Sequence, residues 1–303
     1  MRRRFAIKLI FSMMLGGGLA VAAYAAGRSG DGMGPARFLS SYVLTAKPSW
    51  FGGFSALALD ETGQRVVVLT DRSHLVGGFV KRTANKIDRV TFDTHVHLRN
   101  ADGQIMRHDR DSIDSEGIAI GQDGALFVSF EGKARVSRYA EIDGQAEDLP
   151  RIQAFAALQE NKALEALAID PAGRLYTLPE KSAGAAFPVW RWDGADWQTP
   201  FHVEKRNGYL PVGLDIGPDG RFYLLERKFV LIGFRSRLRR WDFVGDALQN
   251  ETVLLTTPLR THDNLEGLSV WRSTDGDLRA TMVSDNNFMP FQRSELVEYQ
   301  LPE

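Results

Sequence analysis

Five segments of this chain repeat one pattern, and the repeat restricts the possible folds more than any other feature. Each segment is a run of alternating apolar residues, a turn that contains glycine, and a second run rich in Val, Phe, Tyr and Leu. The segments are 54–71, 115–131, 164–180, 211–226 and 265–285. This order predicts a strand, a tight turn and a second strand. Equivalent aliphatic residues at Leu57, Ile118, Leu167, Leu214 and Leu268 are 61, 49, 47 and 54 positions apart. Repeats of that length with strand character predict a β-propeller and not a helical solenoid.

Further strand-like runs follow each repeat and bring every unit close to the four strands of a propeller blade. The predicted outer strands of units two to four are Arg135–Tyr139, Arg151–Phe155, Val189–Trp192, Trp197–Val203, Leu238–Phe243 and Thr252–Leu255. The last unit has only three runs, ending with Glu295–Leu301, while Ser41–Thr45 lies before the first repeat. We therefore expect 41–45 to complete the last blade, which closes a ring of five blades and removes an exposed sheet edge. Because the first unit is longer, a degenerate sixth blade within Val76–Gln104 stays open.

The first 25 residues have the pattern of an export signal. Basic residues between positions 2 and 8 precede an apolar, glycine-containing stretch at Ile10–Val21, and Ala23-Tyr24-Ala25 supplies the small residues of a cleavage site. We predict a periplasmic or secreted protein with no stable membrane span after cleavage; a twin-arginine signal and an uncleaved anchor stay open. The predicted boundaries are 1–25 for the signal, 26–37 for a flexible N-terminus and 38–303 for one all-β propeller domain.

The charge and the cysteine content exclude several classes of function. Residues 1–25 hold four basic side chains and no acidic one, so the mature chain has 33 Lys and Arg against 38 Asp and Glu. This balance does not favour nucleic acid or an anionic membrane surface as a partner. The chain has no cysteine, which excludes disulfides, thiolate metal sites and a cysteine nucleophile. The sequence does not indicate an oligomeric state.

Acidic residues recur where each predicted hairpin starts and ends. The starts of the first strands carry Ser55, Glu116, Glu165, Val212 and Glu266, and the ends of the second strands carry Asp71, Glu131, Glu180, Glu226 and Asp285. Because the two strands are antiparallel, both sets lie at one end of the blades, so eight carboxylates are expected around one mouth of the channel. Carboxylates this close require protons, cationic side chains or a metal ion. Oxygen ligands favour calcium, with magnesium or manganese possible. The predicted ligands are Glu116, Glu131, Glu165, Glu266 and Asp285.

Residues beside these carboxylates are candidates for catalysis. Asp114 or His262 could act as a general base, and Arg72 or Lys133 could stabilise an anionic group of a substrate. A structural role is the alternative: the carboxylates could accept backbone N–H groups of neighbouring loops or form ion pairs with the adjacent bases.

Three further patterns are assigned to packing or to a solvated surface. His95-x-His97 could bind zinc but lacks an evident third ligand, and Trp190, Trp192 and Trp197 could stack on a carbohydrate. The basic run 235–240 could meet a phosphate. No G-x-S-x-G, P-loop or H-E-x-x-H motif is present, so a hydrolase triad or an NTPase is not expected.

Five motifs resemble, in order, the bacterial "esterase-like activity of phytase" family. They are Phe51-Gly52-Gly53-Phe54-Ser55-Ala56-Leu57 with Leu69-Thr70-Asp71-Arg72, Asp114-Ser115-Glu116-Gly117-Ile118-Ala119 with Ser129-Phe130-Glu131, Leu164-Glu165-Ala166-Leu167-Ala168, Leu265-Glu266-Gly267-Leu268, and Ser284-Asp285-Asn286-Asn287-Phe288. The resemblance covers nearly the whole mature chain. It implies an exported β-propeller that hydrolyses esters or phosphoesters. The histidine-acid phytase motif R-H-G-x-R-x-P is absent, so that mechanism is not implied.

The leading hypothesis is therefore an exported, metal-dependent hydrolase of a small phosphoester or ester. Glu116-Gly117 and Glu266-Gly267 also resemble propeller lactonases of the gluconolactonase type. A non-catalytic propeller that binds a ligand or a protein is the rival from another class, because one fold hosts both kinds of function. A structural protein of the cell envelope is a third possibility.

Overall fold

The computed structural model describes residues 33–106, 113–159 and 162–303, and these residues form an all-β propeller of five blades. The predicted signal and residues 107–112 lie outside the described residues. The twenty strands of the described part are β1 (Arg37–Val43), β2 (Phe54–Leu59), β3 (Arg65–Thr70), β4 (His74–Thr83), β5 (Lys86–His97), β6 (Ser115–Ile120), β7 (Leu126–Phe130), β8 (Arg135–Tyr139), β9 (Glu147–Asp148), β10 (Leu164–Ile169), β11 (Leu175–Pro179), β12 (Ala186–Trp192), β13 (Trp197–Glu204), β14 (Leu210–Ile216), β15 (Phe222–Val230), β16 (Gly233–Val244), β17 (Ala247–Thr256), β18 (Asn264–Arg272), β19 (Leu278–Asp285) and β20 (Glu295–Gln300). One short helix, α1 (Gln153–Ala156), lies between β9 and β10.

Each blade is a four-stranded antiparallel sheet, and the last blade contains the N-terminal strand. Blades one to four are β2–β5, β6–β9, β10–β13 and β14–β17, and the fifth sheet has the order β1-β20-β19-β18. The pairing of β1 with β20 runs from Arg37 opposite Gln300 to Val43 opposite Glu295. The prediction that an N-terminal strand closes the ring is confirmed, although the strand begins four residues earlier than expected.

The N-terminal segment also contacts blade four before β1 begins, at Met33 and Ala36. Met33 exchanges backbone hydrogen bonds with Thr256 of blade four, at 2.9 and 2.7 Å, and the Ala36 N–H donates to the Leu254 carbonyl at 2.9 Å. Part of the segment that sequence analysis placed before the propeller therefore lies against the outer strand of blade four.

Two sequence predictions about the outer strands are corrected. No sixth blade exists among the described residues, because β4 and β5 occupy the long first unit as the outer strands of blade one. The fourth strand of blade two is β9 and not Arg151–Phe155. That run instead contains α1, whose Phe155 is buried against Trp190 and Trp197 of blade three. The apolar residues of the run pack between two blades, which explains why its composition resembled a strand.

The turns between first and second strands follow from their Asp and Gly residues. In blade one the Asp60 Oδ1 atom accepts the N–H groups of Gln64 and Arg65 at 2.8 and 2.9 Å. Gly63 of the same turn has a φ of +68°, a left-handed conformation that glycine adopts without steric cost. This side-chain capping lets the chain reverse within a few residues.

The five aliphatic residues that defined the repeat fill the middle of the central channel. Leu57, Ile118, Leu167, Leu214 and Leu268 line a constriction of only about 10 Å³, so the channel is blocked between its two mouths. The inner strands approach each other closely here. A Cβ atom on Gly267 would lie 2.7 Å from the backbone nitrogen of Leu57. The glycine after Glu266 is therefore required by the contact between blades five and one.

Candidate functional site

A β-bulge lies at an equivalent position of the inner hairpin in every blade. The register of the inner hairpin shifts near the start of the first strand in all five blades, at its second residue in blades one to three and at its third in blades four and five. The bulged residues are Ser55, Glu116, Glu165, Val212 and Glu266. A bulge turns the extra residue out of the regular ladder and commonly re-aims a side chain near a site. Three of the five bulged residues are glutamates: Glu116, Glu165 and Glu266.

These glutamates lie in a shallow acidic pit at one mouth of the channel. The pit has a volume of about 190 Å³ and is lined by Asp71, Asp114, Glu116, Glu131, Glu165, Glu180, Arg227, Glu266, Asp285 and Asn287. Its floor is the aliphatic constriction, so the carboxylates meet apolar residues on one side. The structure thus brings together seven of the eight predicted carboxylates and adds Asp114.

Glu226 is the predicted carboxylate that does not reach the pit. It is fully buried and accepts hydrogen bonds from Arg237 at 2.7 Å and from Arg239 at 3.2 Å. Arg227 takes its place in the pit. The spacing could have shown this, because Glu116 to Glu131 and Glu165 to Glu180 are fifteen residues apart, and Val212 to Arg227 is the same distance. In the fourth repeat the acidic residue, Glu226, lies one position before the one that faces the pit.

Arg227 contacts the carboxylates on one side of the acidic pit. Its guanidinium donates to the Glu266 carboxylate and, at 2.8 Å, to the Oδ1 atom of Asn264. The same group donates to Glu180 at 3.4 Å and lies 3.6 Å from Glu165. Arg227 therefore connects carboxylates of blades three and five from its position on blade four.

Asp114, Glu116 and Glu131 form a second group in the pit. One carboxylate oxygen from each residue lies within 4.8 Å of the other two. Glu116 accepts no hydrogen bond from any residue in the described part of the chain, and four other carboxylates raise its pKa in addition to burial. Glu131 accepts one backbone N–H, that of Ala163 in blade three, at 3.2 Å. This group is the arrangement of the pit that best fits a cation.

The pKa values of the pit carboxyls reflect the crowding of negative charge. Burial and the nearby charge of Asp114 together raise the pKa of Glu131 to about 7. Burial raises the pKa of Glu266 to about 8 despite the opposing effect of Arg227. Burial also raises the pKa of Glu165 and Asp285. Near neutral pH, some of these groups hold protons unless a further cation enters the pit.

The predicted structural role is visible for individual residues. The Oδ1 atom of Asp285 accepts the N–H of Asn287 at 2.7 Å, and Glu131 accepts the N–H of Ala163. The ties between blades one and two use hydroxyl groups instead, since Ser55 Oγ donates to the carbonyl of Ser115 at 2.7 Å. Each of these backbone N–H groups occupies one carboxylate oxygen, so the other oxygens of Asp285 and Glu131 can still accept a proton, a hydrogen bond or a cation.

The predicted catalytic residues have different locations. Asp114 lies in the pit, within the three-carboxylate group. Arg72 is at the rim, with its Nε atom 3.9 Å from Asp71 Oδ1 and its guanidinium 3.7 Å above the Phe288 ring. Lys133 is exposed beyond β7 and does not line the pit. His262 is buried and directed away from it, with Nε2 2.8 Å from the Tyr299 hydroxyl and Nδ1 3.7 Å from Glu295. The structure therefore does not bring His262 into the pit, and its general-base role stays a prediction.

The basic run 235–240 is mostly internal and not a solvated face. Arg237 and Arg239 bind Glu226, and Arg240 donates to the carbonyl of Pro302 at 2.7 Å. Only Arg235 of the run is exposed. Residues 236–240 are buried on both faces of β16, so strand alternation does not produce a solvated face here.

The His95-x-His97 pattern gains a third imidazole. His74 of the neighbouring strand β4 lies directly opposite His97, and its Nδ1 atom is 2.9 Å from His95 Nε2. Trp50 stacks on His95 with ring centroids 3.8 Å apart. The three histidines and Trp50 form an aromatic cluster on the outer strands of blade one.

The opposite mouth of the channel is wider and less polar. A cavity of about 610 Å³ opens there, lined by the far ends of the five inner strands. Asp215 lies in this lining, and its Oδ2 atom accepts the N–H of Val270 in blade five at 2.6 Å. That contact connects blades four and five. Asp60, Glu61, Asp170 and Arg272 also line the cavity, but among a larger number of apolar residues than in the acidic pit.

Comparisons with known proteins identify one family and several solved structures that are similar to this chain. The family described as "Phytase-like: Esterase-like activity of phytase" matches residues 49–288. No curated protein matches the sequence. The PQQ-bound aldose sugar dehydrogenase of Streptomyces coelicolor is similar in fold, with 12% identity, a TM-score of 0.49, and coverage of 86% of this chain and 98% of that chain. Hydrazine synthase of Kuenenia stuttgartiensis has 16% identity and a TM-score of 0.42 over 82% of this chain; the match spans only 61% of that longer chain. These likenesses concern the fold alone.

None of the described helical residues forms a segment long and apolar enough to cross a bilayer.

Proposed function

This chain belongs to the Phytase-like family, and we propose that it is an exported hydrolase of a small phosphoester or ester that depends on a divalent cation bound in the acidic pit. The observation that carries the proposal is the group formed by Asp114, Glu116 and Glu131. Calcium is the cation that this group fits best, and the periplasm or the extracellular space is the proposed location.

The donor set supports a hard divalent cation. Three carboxylate oxygens lie within 4.8 Å of one another. Two oxygens on opposite sides of a calcium ion are about 5 Å apart, because each Ca–O distance is about 2.3–2.6 Å. The group offers only carboxylate oxygens, which are ligands of calcium, magnesium and manganese and not of soft metals. Glu116 supports the assignment further, because no described residue satisfies its oxygens.

The residues around the group have separate proposed roles. A bound divalent cation would polarise the substrate oxygen or lower the pKa of a water molecule. Arg227 holds Glu165, Glu180 and Glu266 on the other side of the pit, so those carboxylates do not compete for the cation. Arg72 at the rim can bind an anionic group of the substrate. Asp285, whose pKa is raised by burial, is the proposed proton acceptor, in place of the predicted Asp114 and His262.

A non-catalytic, ion-binding propeller is the second candidate, and the size of the pit favours it. The pit has about 190 Å³, whereas pockets that enclose an organic ligand usually have about 300–1,000 Å³. A substrate of the proposed hydrolase would therefore lie partly outside the pit, against the rim at Arg72 and Phe288.

A substrate screen separates the two candidates. The chain that begins at Ala26 would be incubated with aryl phosphates, aryl esters and lactones, in calcium and in chelator. We expect turnover of at least one ester class in calcium only, and the loss of that turnover in Glu116→Gln with an unchanged circular dichroism spectrum. Glu61→Gln is the matched control, because Glu61 lines the opposite mouth of the channel. Full activity of Glu116→Gln would remove the assignment, and no turnover with saturable calcium binding would favour the second candidate.

A further inference from the structure

The hairpin between β15 and β16 presents large apolar side chains to solvent. Phe229 is 63% exposed, Leu231 89% and Ile232 69%. They form one contiguous stretch of sequence at the end of the hairpin, and the ring of Phe234 contacts that of Phe229 with centroids 5.2 Å apart. Single exposed apolar residues are common, but a cluster at a protruding turn marks an interaction surface.

Two features of the hairpin are unfavourable for the isolated protein. Leu231 has a φ of +43°, a left-handed conformation that is strained for a leucine. Lys228 and Arg235 lie directly opposite each other on the paired strands, and like charges in that position destabilise a sheet. The Lys228 Nζ atom donates to the Asn207 carbonyl at 2.6 Å, and within the described part of the chain no carboxylate forms an ion pair with it. An anionic surface that accepts the apolar tip would compensate both costs.

Basic residues surround the apolar tip. Arg260 lies against the hairpin, since its N–H donates to the Phe234 carbonyl at 3.0 Å and its Cγ atom lies close to Gly233. Together with Lys228 and Arg235 it gives this corner a local positive charge, although the mature chain as a whole is acidic. At physiological salt, charges more than about 8 Å apart are largely screened, so the local charge determines what approaches the tip.

A second apolar projection leaves the same end of the propeller. β15 passes through the acidic pit at Arg227 before it reaches the tip, and β19 ends in the pit at Asp285 before the loop that contains Met289 and Phe291. Phe291 is 78% exposed. Blades four and five are neighbours, so the two projections flank one sector of the acidic mouth. Two apolar contacts at one end of a molecule suit a broad, flat partner better than a narrow one.

We propose that the β15–β16 turn and the loop 288–291 dock the mouth end of the propeller on an anionic lipid bilayer. Leu231, Ile232 and Phe291 would insert at the level of the acyl chains, while Lys228, Arg235 and Arg260 would lie among the anionic headgroups. This combination of an apolar insertion and a basic margin is what peripheral membrane binding requires. The inference does not depend on the hydrolase activity.

Vesicle flotation tests this proposal. The chain that begins at Ala26, which contains all five blades, would be mixed with vesicles of phosphatidylglycerol and phosphatidylcholine, or of phosphatidylcholine alone. We expect flotation with the anionic vesicles, weaker binding in high salt, and little binding to phosphatidylcholine. The double variant Leu231→Ser/Ile232→Ser should lose at least about tenfold in affinity, because it removes two inserted side chains. Arg235→Gln with Arg260→Gln should weaken binding to anionic vesicles only.

Val244→Ser is the matched control, because Val244 is an exposed residue at the opposite end of β16 and should bind vesicles like the unmodified chain. Equal binding by the tip variant, absence of flotation, or equal binding to both kinds of vesicle would overturn the proposal. Light scattering tests the competing explanation. If the unmodified chain is a dimer in solution and Leu231→Ser/Ile232→Ser is a monomer, the apolar tip binds a second copy of the chain and the membrane proposal is overturned. Hydrolysis of a soluble substrate should be unchanged in the tip variant, so failure here is distinguishable from failure of the proposed function.

Discussion

Replacement of Arg227 by glutamine should destabilise the propeller more strongly than replacement of any other residue of the pit. The guanidinium contacts Glu266 directly and lies 3.4 Å from Glu180 and 3.6 Å from Glu165, with its side chain 19% exposed. At an effective dielectric constant of about 20, one ion pair at ~3.5 Å corresponds to ~5 kcal/mol before the cost of desolvation. Removing one partner of a buried ion pair costs about 3–5 kcal/mol, because the remaining charges stay buried. We therefore expect Arg227→Gln to lower the free energy of unfolding by about 3–5 kcal/mol.

The loss should depend on pH in a defined direction. Arginine stays charged throughout, but the carboxylates around it titrate, and burial already raises the pKa of Glu266 to about 8. Above that value the variant must keep several ionised carboxylates together without their cation. At about pH 5, well below that value, Glu266 is protonated in the folded protein, so the variant should lose less stability there.

Thermal unfolding monitored by circular dichroism measures both effects. A domain of this size changes its melting temperature by about 2–4 °C per kcal/mol, so a fall of about 10 °C is expected near pH 8 in chelator. Arg235→Gln is the control, because Arg235 belongs to the same blade and is exposed, and it should change stability by less than about 0.5 kcal/mol. A fall of less than about 2 °C for Arg227→Gln at both pH values would refute the view that Arg227 holds the ring together.

Three further substitutions test other parts of the structure. Burial raises the pKa of Asp215 to about 7, so the protonated carboxyl stabilises the folded protein at low pH, and this stabilisation is lost as pH rises towards 7. Asp215→Asn can still accept the Val270 N–H. In urea denaturation the variant should be more stable than the unmodified chain by about 1–2 kcal/mol above pH 7 and nearly equal to it near pH 4. Burial and two neighbouring imidazoles lower the pKa of His74 to about 4, so stability should fall as pH falls from 6.5 to about 4, and His74→Gln should reduce that fall; equal acid sensitivity of the two proteins would contradict the assignment. A Cβ atom at Gly267 would lie 2.7 Å from the Leu57 nitrogen, so Gly267→Ala should cost about 1–3 kcal/mol, and an unchanged melting temperature would show that the inner strands can separate without cost.

The fold followed from the sequence because its signals are local and repeated. Each inner hairpin has the alternation of strands and a turn with Asp and Gly. Because this pattern occurs five times, each copy supports the assignment of the others. The closing strand was predictable from a missing element in the last blade. The prediction failed at Arg151–Phe155, where apolar residues serve contacts between blades instead of a ladder. Composition alone does not distinguish these two uses of an apolar run.

The candidate site was predictable in kind but not in every residue. The acidic pattern indicated one mouth of the channel. It also placed Glu226 there, whereas Arg227 lies in the pit and Glu226 is buried against Arg237 and Arg239. The constant spacing of fifteen residues from Glu116 to Glu131 and from Glu165 to Glu180 identifies Arg227 as the equivalent of Glu131 and Glu180, whereas similarity of side chains does not. The bulge that aims Glu116, Glu165 and Glu266 into the pit depends on backbone register, which no composition signal shows. The direction of His262 depends on its contact with Tyr299, 37 residues further along the chain.

Calcium titration by calorimetry tests the central claim most directly. The chain that begins at Ala26 would be titrated after removal of metal ions, together with Glu116→Gln and the control Glu61→Gln. The account predicts one saturable calcium site that weakens at least about tenfold in Glu116→Gln, because a charged ligand is lost, and that is unchanged in Glu61→Gln. No binding of calcium, magnesium or manganese, or equal affinity in Glu116→Gln, would contradict a cation site at Asp114, Glu116 and Glu131.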